Sequence, residues 1–116
     1  MLTTADFQLA AAACEALGNP LRLAVLVAIL RGTKRPGCVA QKLRVPPSRV
    51  SEALAPLIEA GILRKQRDGR AVKYELCGEW IETKFGIACR IQRGPIALQF
   101  FVRRELSAEW VMARQY

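Results

Sequence analysis

Histidine does not occur anywhere in the 116-residue sequence. Its absence removes the commonest metal ligand and the commonest general base together. We also find no paired-carboxylate motif and no glycine-rich phosphate-binding loop, so no catalytic constellation can be assembled. The sequence therefore predicts that the protein is not an enzyme.

Long hydrophobic segments are also lacking. The longest apolar run extends only from Leu23 to Leu30, whereas a membrane-spanning helix needs about 20 residues. No charged segment followed by an apolar one opens the chain, as a secretory signal would require. With 52% apolar and 24% charged residues, the composition is that of one globular domain, and we expect a cytoplasmic protein.

Acidic residues are scarce in the middle of the chain. The net charge is +8, and residues 31–75 contain eleven Lys or Arg against four Asp or Glu. Between Arg31 and Ser51 there are six basic residues and no acid. A basic field of this kind favours a nucleic-acid partner, although a solvated surface that keeps the protein soluble would look similar by charge alone.

Residues 45–76 combine a helix with a hairpin. Val50, Ala53, Leu54 and Leu57 recur at helical spacing, which predicts a helix at about 47–60 that ends near Gly61. Two short strands flank Asp68-Gly69-Arg70 and predict a hairpin at about 62–77. A helix with a polar face followed by a basic hairpin is typical of a winged helix-turn-helix, in which the helix enters the major groove.

Helical patterns also precede and follow this unit. Before it, apolar spacing and helix-start signals such as Asn19-Pro20 predict helices at about 4–17, 20–31 and 38–44. After the wing, apolar residues predict a helix at 79–93, a break at Gly94-Pro95 and a last helix at 96–114. We therefore predict a mainly α fold with a small β-hairpin, in the order α-α-α-α-β-β-α(-α), within a single domain. The apolar helices at 4–17 and 79–114 are the predicted surface of a homodimer. The alternative is that they only cap one monomer.

The order of the motifs resembles the ArsR/SmtB family of winged-helix repressors. The matching segments are ALGNPLRL (16–23), VAQKL (39–43), SRVSEAL (48–54), LIEAGIL (57–63) and RDGRAVKYEL (67–76). They cover a little over half of the chain. The resemblance implies a dimeric repressor that binds a palindromic operator and leaves it when an inducer binds.

The resemblance does not extend to the family's metal sites. Many members with a sensor on the third helix have Cys-Val-Cys before the residues that correspond to Val39-Ala40, and this chain has Arg35-Pro36-Gly37-Cys38 there. No histidine is available for a site on the C-terminal helix. The four cysteines stand at 14, 38, 77 and 89 and form no CxxC pair. At this spacing they are not expected to form structural disulfides in the cytoplasm.

The candidate DNA contacts lie on three elements. The recognition helix, predicted at about 47–60, offers side chains for base edges and phosphates. The preceding helix and the wing offer side chains for the DNA backbone. The alternative is that they are ordinary surface residues. The candidates are Gln41, Lys42, Ser48, Arg49, Ser51, Glu52, Arg67, Arg70 and Lys73.

Three cysteines are candidates for an inducer sensor. Cys38 opens a helix beside cations, which favours a thiolate, while Cys14 and Cys89 lie on the predicted dimer surface. They could bind trivalent arsenic or antimony or another thiophilic ion, or form a persulfide or disulfide. The alternative is that free cysteines simply pack as small hydrophobes.

Two other functions stay open at this stage. One is a winged-helix repressor without a small-molecule sensor. The other is a winged-helix module that binds proteins through its apolar C-terminal residues, and it predicts no salt-sensitive binding to duplex DNA.

Overall fold

A computed structural model describes residues 1–104 of the chain. Its elements, in chain order, are α1 (Thr4–Leu17), α2 (Pro20–Leu30), α3 (Pro36–Leu43), α4 (Pro47–Glu59), β1 (Leu63–Asp68), β2 (Ala71–Leu76), β3 (Glu79–Thr83), β4 (Gly86–Arg93) and β5 (Ile96–Arg103). The elements from α1 to β2 lie within two residues of the predicted boundaries. The winged helix-turn-helix prediction is therefore confirmed.

The first two helices begin at local capping signals. The Thr3 N–H donates to the Asp6 carboxylate (2.8 Å), and the Asp6 N–H donates back to Thr3 Oγ1 (3.3 Å), which forms a capping box. Asn19 Oδ1 accepts from the Arg22 N–H (3.1 Å) and Pro20 occupies the first turn of α2. The Asn19-Pro20 signal therefore located the start of α2 correctly, whereas the residue that caps α1 is Thr3.

The predicted helices at 79–93 and 96–114 are wrong wherever the structure describes them. Residues 79–103 form strands β3, β4 and β5, which pair antiparallel in that order. Ile87, Cys89 and Ile91 point inward and alternate with exposed residues, which is the period of a strand. Some of the exposed positions are also apolar, such as Ala88 on β4 and Phe101 on β5. These residues complete a helical stripe in the sequence, so the strand period was not visible. Residues 105–114 of the predicted last helix lie outside the described residues.

The core connects the helices to both sheets. Its largest fully buried side chains include Leu26, Leu43, Leu57, Ile62 and Ile91, which come from α2, α3, α4, the start of the wing and β4. Strands β1 and β2 form a separate two-stranded sheet, the wing. Strands β3, β4 and β5 form the second sheet, the C-terminal sheet. Since Ile91 of β4 belongs to the same core as the helices, the C-terminal sheet is an integral part of the domain.

Among residues 1–104, no single helix is both long enough and apolar enough to span a membrane. Helices α1 and α2 would reach the required length and apolarity only together, as a pair bent by 91°.

Candidate nucleic-acid interface

Helix α4 separates an apolar face from a polar one. Val50, Ala53, Leu54 and Leu57 are buried against the core. The residues on the other side of its first half are all exposed, and they are the predicted contacts Ser48, Arg49, Ser51 and Glu52. This half of α4 therefore presents a continuous polar surface to solvent.

Arg49 and Glu52 form an ion pair on this surface. The nearest nitrogen and oxygen are 3.6 Å apart, and the side chains are 49% and 68% exposed. An exposed pair at this separation contributes at most about 1 kcal/mol. Arg49 can therefore leave Glu52 for a phosphate or a guanine edge at little cost.

Helix α3 adds a second exposed stretch beside α4, because the two helices pack together. Val39, Ala40 and Leu43 are buried, which directs Gln41 and Lys42 outward, where both are exposed. Helix α3 contains no acidic residue. Its outer face is therefore suited to a phosphate backbone.

The wing carries the third group of candidate residues. Asp68 pairs with Ala71 at the tip, and Gly69 has a φ of +67°, a conformation that glycine adopts readily in tight turns. Arg67 and Arg70 are exposed beside this turn. The wing therefore presents two solvated guanidinium groups.

Lys73 is less available than the arginines of the wing. Its ammonium lies 3.4 Å from a Glu75 oxygen, and its side chain is 32% exposed. Arg64 hydrogen-bonds the same carboxylate (3.1 Å), and together with Lys73 it holds the pKa of Glu75 below its usual value. The carboxylate stays charged and competes with any phosphate for Lys73, so we expect Lys73 to contribute less than Arg67 or Arg70.

Two contacts fix the wing against the start of α3. The Arg35 guanidinium donates to the Asp68 carboxylate (2.6 Å), and the Tyr74 N–H donates to the Lys34 carbonyl (2.9 Å). The wing tip is thereby held next to the helix that precedes α4. Sequence reasoning missed this positioning role of Arg35, because Asp68 is 33 positions away and only the fold brings the two together.

The three candidate sensor cysteines differ in their surroundings. Cys14 and Cys38 are exposed and Cys89 is buried. The prediction that Cys89 lies in a helix is wrong, since it lies on β4 with its side chain in the core. Burial raises the pKa of the Cys89 thiol to about 11. Among residues 1–104, no group of three or more His, Cys, Asp or Glu side chains is arranged to hold a metal ion.

These surroundings predict a clear order of thiol reactivity. At pH 7.5, iodoacetamide should alkylate Cys14 and Cys38 readily and leave Cys89 unmodified, because its raised pKa keeps the thiol protonated until the pH approaches 11. Peptide mass spectrometry after timed labelling would measure this, and labelling in denaturant serves as the control that all thiols can react. Alkylation of Cys89 in the folded protein as fast as Cys14 would contradict the placement of β4.

The chain has the features of a winged helix-turn-helix protein. These are a buried helical core, the exposed recognition helix α4 and a basic wing anchored to α3. No family model matches the chain. A search of characterised proteins finds the HTH-type transcriptional regulator CmtR of Mycobacterium tuberculosis and that of Mycobacterium bovis, each 35% identical over 72 residues. The alignment covers 62% of this chain and 61% of each relative, so the chain spans about three fifths of the length of these relatives.

Solved structures agree with this relationship. The cadmium metal-sensor CMTR from M. tuberculosis is 37% identical, with a TM-score of 0.53 over 58% of this chain and 70% of that one. An ArsR-like transcriptional regulator from Rhodococcus sp. RHA1 is 21% identical, with a TM-score of 0.58 over 60% of this chain and 66% of that one, and it supports the fold alone. The chain belongs to the ArsR/SmtB family, as its sequence motifs indicated.

Proposed function

We propose that the protein is a sequence-specific DNA-binding transcriptional repressor that binds a palindromic operator as a homodimer and is released by an inducer. The observation that carries this proposal is the exposure of the first half of α4 beside the basic surfaces of α3 and the wing. This is the arrangement with which winged helix-turn-helix proteins read a major groove and hold the flanking phosphates. The relatives named as transcriptional regulators support the same function.

Self-association of the chain is supported by exposed apolar side chains on α1 and on the C-terminal sheet. Phe7 of α1 is 54% exposed, and Ile81 and Phe101 of the C-terminal sheet are 68% and 52% exposed. Large apolar side chains grouped on a surface commonly mark an interface. The proposed dimer surface thus keeps α1 and the C-terminal residues, with a sheet at 79–103 in place of the predicted helices there.

Salt-dependent binding to the DNA upstream of the protein's own gene tests the repressor proposal. Each phosphate contact should lower the logarithm of the binding constant by about 0.9 for every tenfold increase in salt. Fluorescence anisotropy at two salt concentrations, with a scrambled duplex as control, would measure both the slope and the specificity. Equal affinity for the two duplexes would contradict sequence-specific binding, and the absence of salt-sensitive binding would favour a protein-interaction module instead.

A thiol-based inducer is the finer part of the proposal. Cys14 and Cys38 are the accessible thiols, and one relative is described as a cadmium sensor, which supports a thiophilic ion as the inducer. Residues 1–104 alone provide no group of three or more His, Cys, Asp or Glu ligands that could hold such an ion. Arsenite, cadmium and an organic persulfide are the probes to compare.

Serine substitutions separate a sensing repressor from one without a sensor. We expect Cys14→Ser or Cys38→Ser to abolish operator release by the active probe, with DNA affinity in its absence unchanged. Cys77→Ser serves as the control, because Cys77 was not assigned to the sensor. Release that survives replacement of Cys14, Cys38 and Cys89 together would rule out the thiol switch and leave the repressor proposal intact.

A further inference from the structure

An open groove of about 1080 Å³ lies between the α1–α2 hairpin and strand β5. Leu17, Leu23 and Val27 line one wall, and Leu98, Phe100 and Val102 line the other. Sites for drug-sized molecules typically enclose about 300–1,000 Å³ and are lined mainly by apolar side chains. The groove is therefore large enough for a hydrocarbon chain or an aromatic ring held between two apolar walls.

The described residues at one end of the groove carry positive charge. Arg103 and Arg104 line it where β5 ends, and none of the described residues that line the groove is acidic. The Arg31 guanidinium donates to the Arg103 carbonyl (2.7 Å), which holds the end of β5 beside α2. Guanidinium groups bind carboxylates well because their paired N–H donors match the two oxygens.

Exposure of Leu23 also points to an occupant of the groove. Helix α2 buries Leu21, Val25, Leu26, Ala28 and Ile29, yet Leu23 stays 43% exposed on the groove wall. A large apolar side chain exposed within a concave, apolar wall gains from contact with an apolar ligand. The lining thus matches a molecule with a hydrocarbon body and an anionic head.

We propose that this groove binds an amphipathic organic anion, with a carboxylate at Arg103 and Arg104 and an apolar body between α2 and β5. The groove lies where α1 and α2 meet β5, on the surface between the helices and the C-terminal sheet. Regulation of DNA binding by such a ligand rests on the proposed repressor function, whereas binding of the ligand does not.

Calorimetric titration of the full chain with decanoate, without DNA, tests the proposal. Decanoate should bind, octanoate should bind about tenfold more weakly because two methylenes are lost, and decyltrimethylammonium should not compete. The variant Leu23→Glu should weaken decanoate binding about tenfold or more, because it places a carboxylate in the groove. Leu9→Glu is the matched control, since Leu9 is 42% exposed, outside the groove, and should leave binding unchanged.

The anionic head is tested separately. Arg103→Gln should weaken decanoate binding about fivefold or more, whereas Lys65→Gln, which removes an exposed cation on β1, should not.

Failure of decanoate to bind, or an affinity that neither Leu23→Glu nor Arg103→Gln changes, would overturn the proposal. A change of oligomeric state in Leu23→Glu, without decanoate binding by the native chain, would assign the groove to a second copy. Decanoate binding by a chain that fails to bind duplex DNA would refute the repressor function alone.

Discussion

Replacing Gly86 with alanine should destabilise the protein by about 3 kcal/mol or more. Gly86 opens β4 with a φ of +151°, a conformation that residues with a side chain rarely adopt. A Cβ at this position would also overlap the Val102 carbonyl oxygen and lie 2.7 Å from Cζ of the Phe101 ring. The Val102 carbonyl belongs to the backbone of β5, which cannot move aside without disturbing the pairing of β4 with β5.

Alanine substitutions at two other glycines distinguish the cost of backbone strain from the cost of steric overlap. Gly69 at the wing tip has a φ of +67° with open space around it, so Gly69→Ala should cost only about 1 kcal/mol. Gly37 lies in α3 with open space and no positive φ, so Gly37→Ala should be neutral or stabilise by up to about 1 kcal/mol. Chemical denaturation of the three variants would measure the series. A Gly86→Ala variant as stable as the native protein would show that β5 does not cover Gly86.

The same glycine shows where sequence reasoning failed. A helix from 79 to 93 required Gly86 in its interior, and that residue in fact begins a strand after a two-residue turn. Thr83 Oγ1 accepts from the N–H groups of Phe85 (3.1 Å) and Gly86 (3.2 Å) and so closes this turn. Threonine followed three residues later by glycine was the available signal for the turn.

The winged unit was predictable because its determinants are local. The helix starts at Asn19-Pro20 and Pro46-Pro47, and the Asp68-Gly69 turn, each depend on a few neighbouring residues. The exposure of α4 followed from its own periodicity. The anchoring of the wing by Arg35 and the burial of Cys89 depend on residues far apart in the chain, so no local pattern could predict them.

Removing the Arg49 side chain should lower the specificity of the proposed operator binding. A bidentate arginine contact with a guanine is worth about 1–3 kcal/mol of discrimination. Arg49→Ala should therefore lower affinity for the operator by about tenfold to a hundredfold, with little change for a scrambled duplex. Arg70→Gln should instead weaken both duplexes alike and reduce the salt slope by about one, because we assign Arg70 to a phosphate.

Arg90→Ala is the matched control for Arg49→Ala. Arg90 also pairs with an exposed glutamate, Glu79 (2.9 Å), and its side chain is 45% exposed against 49% for Arg49, but it lies on the C-terminal sheet. The control therefore removes the same charge and a similar ion pair away from the proposed interface. Anisotropy titrations with both duplexes at two salt concentrations would measure all three variants. Equal losses for Arg49→Ala and Arg90→Ala would mean that net charge alone holds the DNA, and α4 would then not be the element that reads its sequence.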